Sequence, residues 1–135
     1  MVTDLERNVN TCDQDQMPWV SNCGYDAVGA ILKELYPSIK PRGTDWAKAG
    51  EVVAYNQTEF VPEADAADTY FDQEGYAYVP NSCKEEGTRC GVHLSLHGCG
   101  MGKWLIQKSW VENAGYLEWA STNDMIVLFP QNVNS

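Results

Sequence analysis

Residues 90–100 constrain the fold of this chain more than any other segment. Polar and apolar side chains alternate along this segment before a glycine-rich turn: Cys90, Gly91, Val92, His93, Leu94, Ser95, Leu96, His97, Gly98, Cys99 and Gly100. Alternation with period two predicts a β-strand. Both kinds of side chain are tolerated inside a protein, so we expect the strand to be covered on its two faces. The strand is predicted to end at the turn of residues 97–100.

A helix and a second strand are predicted to follow this turn. Residues 103–122 have a helical pattern that breaks at Gly115, where a left-handed glycine suits the end of a helix. Residues 125–129 form an apolar run that Pro130 closes. A strand, a helix and a strand in this order make a βαβ unit with parallel strands, and functional residues collect at the carboxyl ends of such strands. We therefore predict an α/β fold whose mixed sheet contains a βαβ unit.

The upstream part of the chain is predicted to supply a helix and two more strands. Residues 1–20 are polar and are predicted to form a loop. A helix follows, capped by Ser21 or Asn22 and ended by Pro37. Its apolar residues recur at helical spacing: Val28, Ile31, Leu32 and Leu35. The two further strands are predicted over residues 51–61 and 75–80, with an acidic loop at residues 62–68 between them.

Composition limits the class of protein and its partners. At 135 residues and 44% hydrophobic content, the chain is large enough for one domain with its own core. The formal charge of −10 argues against binding nucleic acid or an anionic membrane surface, since both need basic patches. No apolar run approaches the roughly 20 residues of a membrane span. Residues 1–7 also lack the apolar stretch of a signal peptide.

The cysteines nevertheless indicate an extracellular protein. We predict two local disulfides, Cys12–Cys23 and Cys83–Cys90, because each pair brackets a polar, turn-rich stretch. On the loop-closure model each is worth about 2–3 kcal/mol. Four free thiols are the alternative, and it is the weaker one because the chain has no Cys-x-x-Cys metal or redox pair. Cys99 is left over, and an odd cysteine in a secreted chain suggests a partner sequence elsewhere.

Other candidate sites are weaker. Asn56 begins an Asn-Gln-Thr sequence that could accept N-glycosylation. His93 and His97 are four residues apart, which on a strand is about 13 Å and too far to share a metal ion. The acidic residues match no calcium loop and are expected to form a solvated edge: Glu59, Glu63, Asp65, Asp68, Asp72 and Glu74. No metal or cofactor is therefore expected. A Cys99 nucleophile with His97 as its base is disfavoured, because adjacent loop residues rarely hold that geometry.

Five blocks of sequence, taken together, resemble a known family. They occur in order along most of the chain: residues 21–30 (SNCGYDAVGA), 75–83 (GYAYVPNSC), 92–99 (VHLSLHGC), 113–120 (NAGYLEWA) and 125–131 (MIVLFPQ). Together they are similar to extracellular polyhydroxybutyrate depolymerases and related secreted esterases, in particular the circularly permuted fungal-type branch. The resemblance implies a partial α/β-hydrolase fold over a single domain, 1–135. Within it, residues 1–44 hold the cysteine-bracketed loop and helix, and residues 45–135 hold the strands and the turn.

The resemblance also implies a role for the turn. In α/β-hydrolases a His-Gly turn after a central strand provides part of the oxyanion hole. The corresponding group here is the backbone N–H of Cys99, with His97 and Gly98 supporting the turn. The family's nucleophilic serine lies in a Gly-x-Ser-x-Gly elbow, and this chain contains no such elbow. In the permuted branch the serine, aspartate and histidine lie upstream of the matched region. The resemblance further implies that the family's Asn-Gly-Cys-Trp block, a candidate partner for Cys99, would lie beyond Ser135.

Two functions follow as hypotheses. The first is a portion of a secreted serine-type carboxylic ester hydrolase that acts on an aliphatic ester or polyester. This portion contributes the oxyanion-hole turn, and the chain alone is not expected to hydrolyse esters because it lacks the Ser-His-Asp triad. The second is a non-catalytic pseudoenzyme or fragment that acts as a binding or assembly component. Its contacts would be Trp104, Trp110 and an exposed sheet edge that favours self-association or a partner chain.

Overall fold

A four-stranded mixed sheet with helices against one face forms the centre of the molecule. The computed structural model describes residues 1–61 and 70–133, so the predicted acidic loop at residues 62–68 lies outside the described residues. The elements are β1 (Val2–Thr3), β2 (Asn10–Thr11), β3 (Ser21–Asn22), α1 (Ala27–Leu35), α2 (Trp46–Ala49), β4 (Gly50–Asn56), β5 (Glu74–Pro80), β6 (Gly91–Leu94), α3 (Lys103–Ile106), α4 (Ser109–Asn113), α5 (Tyr116–Ala120) and β7 (Met125–Phe129).

The sheet has the order β4–β5–β7–β6, and β6 is its last strand. Strands β4 and β5 pair antiparallel, as do β5 and β7, whereas β6 and β7 pair parallel. The connection from β6 to β7 runs through the three short helices α3, α4 and α5. The predicted mixed sheet with a βαβ unit is confirmed.

One hydrophobic core lies between the inner face of this sheet and the helices. Tyr78, Val127 and Phe129 are fully buried on the sheet side. They belong to one cluster with residues of α1, α4 and α5, including Leu32 and Leu117. The same cluster contains Val20 and Val28 from the first 44 residues, so the two parts of the chain share a core. Apolar burial of this kind is the main favourable contribution to folding.

The prediction that the strand at residues 90–96 is covered on both faces is wrong. His93 and Ser95 are buried, at 9% and 1% exposure, whereas the aliphatic residues lie open to solvent. Their exposed fractions are 61% for Val92, 54% for Leu94 and 66% for Leu96. The register explains this, because His93 pairs with the fully buried Val127 and therefore shares its face of the sheet. Only the inner face of β6 is covered.

The predictions for the N-terminal region are also wrong in detail. Residues 1–20 contain β1 and β2, which pair in parallel with β3 to form a small second sheet. Ser21 and Asn22 form β3 and do not cap a helix, since the Ser21 N–H donates to Met1 O at 2.9 Å. The helix instead begins at Ala27, and Asp26 caps it by accepting from the Gly29 N–H at 2.7 Å.

Two further boundaries differ from the predictions. The strand predicted over residues 51–61 ends at Asn56, whose side chain accepts hydrogen bonds from Thr58 and begins a 3₁₀ turn over Gln57–Phe60. The predicted helical run breaks at Gly115, which has a φ of 103°, as expected. It also breaks at Gln107, with a φ of 51°, so three short helices replace one long run.

Replacing Gly29 with alanine is predicted to destabilise the protein by about 1–3 kcal/mol, the usual cost of overpacking. Alanine normally favours a helix over glycine by about 1 kcal/mol. Here, however, an added Cβ would meet the Asp26 carboxylate and would lie 2.5 Å from the Trp119 ring. That carboxylate is held by Arg42 and by the Trp119 Nε1–H, so it cannot move aside freely.

Urea unfolding followed by far-UV circular dichroism measures this effect. Glu34→Ala is the matched control on the exposed side of the same helix, and it should change the free energy of unfolding by less than about 0.5 kcal/mol. A Gly29→Ala protein as stable as the original would contradict the packing described for α1 and α5.

Candidate oxyanion-hole site

The turn after β6 is held in shape by two hydrogen bonds to one carbonyl group. Gly98 O accepts from the Met101 N–H at 3.1 Å and from Nδ1–H of the half-buried His97 at 2.9 Å. Gly100 has a φ of 72°, a left-handed conformation that suits glycine. The predicted supporting residues therefore lie together in one turn at the carboxyl end of β6.

The turn leaves backbone donors free. Gly98 and Cys99 are exposed, and among residues 1–61 and 70–133 neither donates its N–H to a hydrogen bond. The Cys99 N–H belongs to the same peptide group as Gly98 O. Because a trans peptide directs its N–H opposite to its C=O, the two bonds to Gly98 O also fix the direction of the Cys99 N–H. Such an oriented, free N–H can bind an oxygen that carries negative charge.

A buried polar cluster supports the strand that leads into the turn. Trp110 Nε1–H donates to Ser95 Oγ at 3.1 Å. Tyr36 Oη lies 3.1 Å from His93 Nδ1, and the Tyr116 ring packs against the His93 ring with a centroid distance of 5.3 Å. Burial lowers the pKa of the His93 imidazole below its usual 6.5. His93 therefore functions as a neutral packing residue under the strand.

A second network, built on two glutamines, supports the helix that follows the turn. Gln131 is 2% exposed and Gln57 is 5% exposed. The Gln131 N–H donates to Gln57 Oε1 at 2.9 Å, and Gln57 Nε2–H donates back to Gln131 O at 2.9 Å. Gln131 Oε1 then accepts from the Lys103 N–H, the first residue of α3, at 2.8 Å. This pair cannot be predicted from the sequence, because no local pattern distinguishes a buried glutamine from an exposed one.

The five cysteines form two disulfides and leave one free thiol. Cys12–Cys23 and Cys83–Cys90 are bonded, with Cα–Cα distances of 4.7 Å and 5.9 Å. Cys99 is exposed and is the free cysteine of the structure. Asn56 is exposed at the end of β4, with its Oδ1 accepting from Thr58 and its Nδ2–H donating to Glu59. The turn thus brings together Cys99, Gly98 and His97, while the other candidates lie elsewhere.

The described residues do not assemble a catalytic triad or a metal cluster. Within residues 1–61 and 70–133, neither histidine forms a hydrogen bond to a serine hydroxyl or to a carboxylate. The same part of the chain contains no group of three histidine, cysteine or acidic side chains arranged around one point. None of its helices has the length and apolar character needed to cross a bilayer.

Two curated relatives and a crystal structure are similar to most of this chain. The chain is 37% identical over 123 residues to the poly(3-hydroxybutyrate) depolymerase of Delftia acidovorans, and it is 38% identical over 124 residues to the polyhydroxybutyrate depolymerase of Talaromyces funiculosus. The crystal structure of PHB depolymerase from Penicillium funiculosum matches 98% of the chain with a TM-score of 0.85 and 37% identity. The chain is homologous to one part of the polyhydroxybutyrate depolymerases. The family resemblance seen in the sequence is confirmed.

The match covers most of this chain but a minority of each relative. It spans 90% of this chain and 24% of the Delftia protein, and 92% of this chain and 35% of the Talaromyces protein. It spans 40% of the crystallised Penicillium chain. A serine-to-alanine variant of PHB depolymerase, complexed with an R3HB trimer, matches to the same extent. No family model matches the chain.

Stability is predicted to fall in mildly acidic solution because of His93. Burial disfavours the charged imidazole, so the folded pKa lies below the unfolded value near 6.5. The contribution of neutral His93 is complete above pH 6.5 and is lost as the pH falls through the lower folded pKa. Asp4, whose pKa is lowered from 3.8 chiefly by its hydrogen bond to Arg42, loses its contribution only at more acidic pH.

Urea unfolding at intervals between pH 7.5 and pH 4.5 tests this prediction. His93→Gln should be less stable at pH 7.5 because it loses the packing against Tyr116, and its stability should change less across the range. An unchanged pH dependence in His93→Gln would show that another group is responsible.

Proposed function

We propose that the chain supplies the oxyanion-hole part of a secreted serine-type ester hydrolase that acts on an aliphatic polyester. The main support is the exposed turn after β6, in which the Cys99 N–H is oriented and forms no hydrogen bond within the described residues. The relatives of the chain are named polyhydroxybutyrate depolymerases, which agrees with this role. In this proposal the nucleophile and the remaining triad residues come from polypeptide outside this sequence.

The turn stabilises the charge that develops during acyl transfer. Attack by a serine on the ester carbonyl places negative charge on the carbonyl oxygen, and a donor about 2.7–3.1 Å away stabilises that charge. The Cys99 N–H is this donor. Two hydrogen bonds to Gly98 O polarise the same peptide group, which makes its N–H a better donor. Loss of one such donor in an enzyme costs about 2.7–4 kcal/mol in the barrier.

The surroundings of the turn suit an aliphatic ester. A Cβ placed on Gly100 would lie 3.8 Å from the Trp19 ring and 3.9 Å from Leu105 Cδ2, so apolar side chains surround the turn. Trp104 and Leu105 follow at the start of α3, with 41% and 37% of their surfaces exposed. The R3HB trimer bound by the crystallised relative is an ester of this class. We infer a 3-hydroxybutyrate oligomer or polyester as the substrate.

We further propose that the protein is secreted and that the chain forms one partial domain. Two disulfides favour an oxidising environment, in agreement with secretion. We propose that residues 1–135 form a single partial α/β-hydrolase domain, since residues 1–44 and the later strands contribute to one hydrophobic cluster. Asn56 remains a candidate glycosylation site on the exposed end of β4.

A non-catalytic assembly role is the second candidate. The uncovered aliphatic side chains of β6 favour it, because such a face needs a partner. The prediction that Trp110 is a contact residue is wrong, because Trp110 is 5% exposed and packs in the core. Trp104 is partly exposed and remains available.

A chimera tests the catalytic proposal. The 124 aligned residues of the Talaromyces funiculosus depolymerase are replaced by the matching part of this chain, and hydrolysis of a 3-hydroxybutyrate trimer is measured. We expect activity in the chimera and none in the isolated chain. Cys99→Pro, which removes the N–H donor, should lower kcat by about 100-fold or more.

Cys99→Ser is the matched control, because it removes the thiol and keeps the N–H. Its kcat should stay much closer to that of the unsubstituted chimera than that of Cys99→Pro. Circular dichroism and thermal unfolding must show that each chimera is folded. A folded but inactive chimera would reject the catalytic role in favour of the assembly role, and equal activities of the two variants would reject the oxyanion role of Cys99.

A further inference from the structure

Helix α3, which follows the turn that carries Cys99, receives its N-terminal cap from a distant residue. Gly102 precedes the helix and supplies no side-chain cap. The acceptor for the Lys103 N–H is Gln131 Oε1 at 2.8 Å, on a residue 28 positions further along the chain. The first N–H groups of a helix need such an acceptor, because no helical carbonyl precedes them. Gln131 therefore acts as a remote N-cap.

Gln131 can hold the start of α3 because it is itself fixed. Its side chain is buried, and its Nε2–H donates to Phe129 O at 3.2 Å. Its backbone O accepts from the Asp72 N–H at 3.0 Å and from Gln57 Nε2–H at 2.9 Å. A buried, hydrogen-bonded network of this kind favours one arrangement of its members. The amide oxygen of Gln131 therefore occupies a defined position beside the end of β7.

Lys103 provides a second attachment at the same point. Its ammonium Nζ lies 2.8 Å from Asp72 Oδ1 and 3.5 Å from Glu74 Oε1. The Lys103 side chain is partly buried, and hydrogen bonds between charged groups are stronger than those between neutral groups. Because the Asp72 N–H also donates to Gln131 O, the backbone and the side chain of Lys103 are held to one small region.

A short, packed connection links α3 to the peptide group of Gly98 and Cys99. Met101 is buried in the core, and its N–H donates to Gly98 O. Gly102 has no free space beside it, since an added Cβ would lie 2.6 Å from Asn132 Oδ1. A displacement at the start of α3 therefore shifts Met101 and, with it, the peptide group that contains the Cys99 N–H.

We propose that Gln131 is a positioning residue for the oxyanion hole. Its amide oxygen fixes the start of α3 and, through Gly102 and Met101, holds the Cys99 N–H where charge develops on the ester oxygen. The inference rests on the proposed function, because Gln131 acts through the Cys99 N–H alone. A displaced donor stabilises the transition state less, while binding of the ester in its ground state changes little.

Kinetics in a chimera test this role. Here the whole chain, residues 1–135, replaces the 124 aligned residues of the Talaromyces funiculosus depolymerase. Gln131→Met keeps the approximate shape of the side chain and removes the acceptor for the Lys103 N–H. We expect kcat for a 3-hydroxybutyrate trimer to fall about 10-fold or more, with KM changed by less than about twofold.

Asn123→Leu is the matched control. Asn123 also joins distant segments through its side-chain amide, which bonds to Lys40 N–H, Lys40 O and Trp119 O, and it lies before β7, at the opposite end of that strand from Gln131. Asn123→Leu should lower Tm, as Gln131→Met does, and leave kcat unchanged. An equal loss of kcat in both variants would overturn the proposal, because destabilisation alone would then account for it.

NMR relaxation in the isolated chain tests the attachment without catalysis. Gln131→Met should lower the ¹⁵N order parameters of Cys99, Met101 and Lys103, and Asn123→Leu should leave them unchanged. Unchanged order parameters in Gln131→Met would overturn the proposal. Failure of the proposed function has a different signature: the unsubstituted chimera is folded but hydrolyses no ester, although Gln131→Met still increases the mobility of the turn.

Lys103→Met covers the case in which Gln131→Met does not fold. It removes the ammonium contacts and keeps the backbone N–H, so we expect the same loss of order in the turn and the same fall in kcat at constant KM, both smaller. Lys48→Met makes the same change of charge in an exposed pair with Asp45 and should alter neither. If Lys103→Met matches Lys48→Met in both measurements, the proposal is wrong.

Discussion

The parallel pairing of β6 with β7 is the constraint on which the rest of the structure depends. It turns His93 and Ser95 toward the helices, where Tyr36 and Trp110 bond to them. The same register leaves Val92 and Leu94 on the outer face. It also carries the chain to the turn of residues 97–100 at the carboxyl end of an edge strand. The covered core and the exposed turn are therefore two results of one register.

The turn and the helix after it are supported by hydrogen bonds from backbone groups and buried amides. Gly98 O accepts two hydrogen bonds, and Gln131 connects the start of α3 to Gln57, the residue after β4. Buried amide groups are costly when unpaired, so each satisfied bond in this network favours one arrangement of the loop. A fixed donor needs no reorganisation when charge develops on a bound carbonyl oxygen, and this is the property that oxyanion stabilisation requires.

The sequence was sufficient for the parts of the fold that follow from local pattern. The alternation at residues 75–80 and the apolar run at residues 125–129 predicted strands that the structure contains, and Gly115 predicted a break that is also present. The direction in which β6 faces could not be predicted, because its alternation fits either orientation and tertiary register decides between them. The turn at residues 97–100 follows from local pattern, but its oxyanion role is implied only by the family resemblance. The Gln57–Gln131 pair joins residues 74 positions apart and leaves no local signal.

Amide hydrogen exchange along β6 in the isolated chain tests the account most directly, because it reports which backbone groups are paired. We expect slow exchange at His93 and Ser95, whose N–H groups face β7. We expect fast exchange at Val92 and Leu94, whose N–H groups face the open edge. Equal protection at all four residues would contradict it, since that result requires a strand or another chain already paired with β6. Equally fast exchange at all four would also contradict it, because β6 would then not be paired with β7.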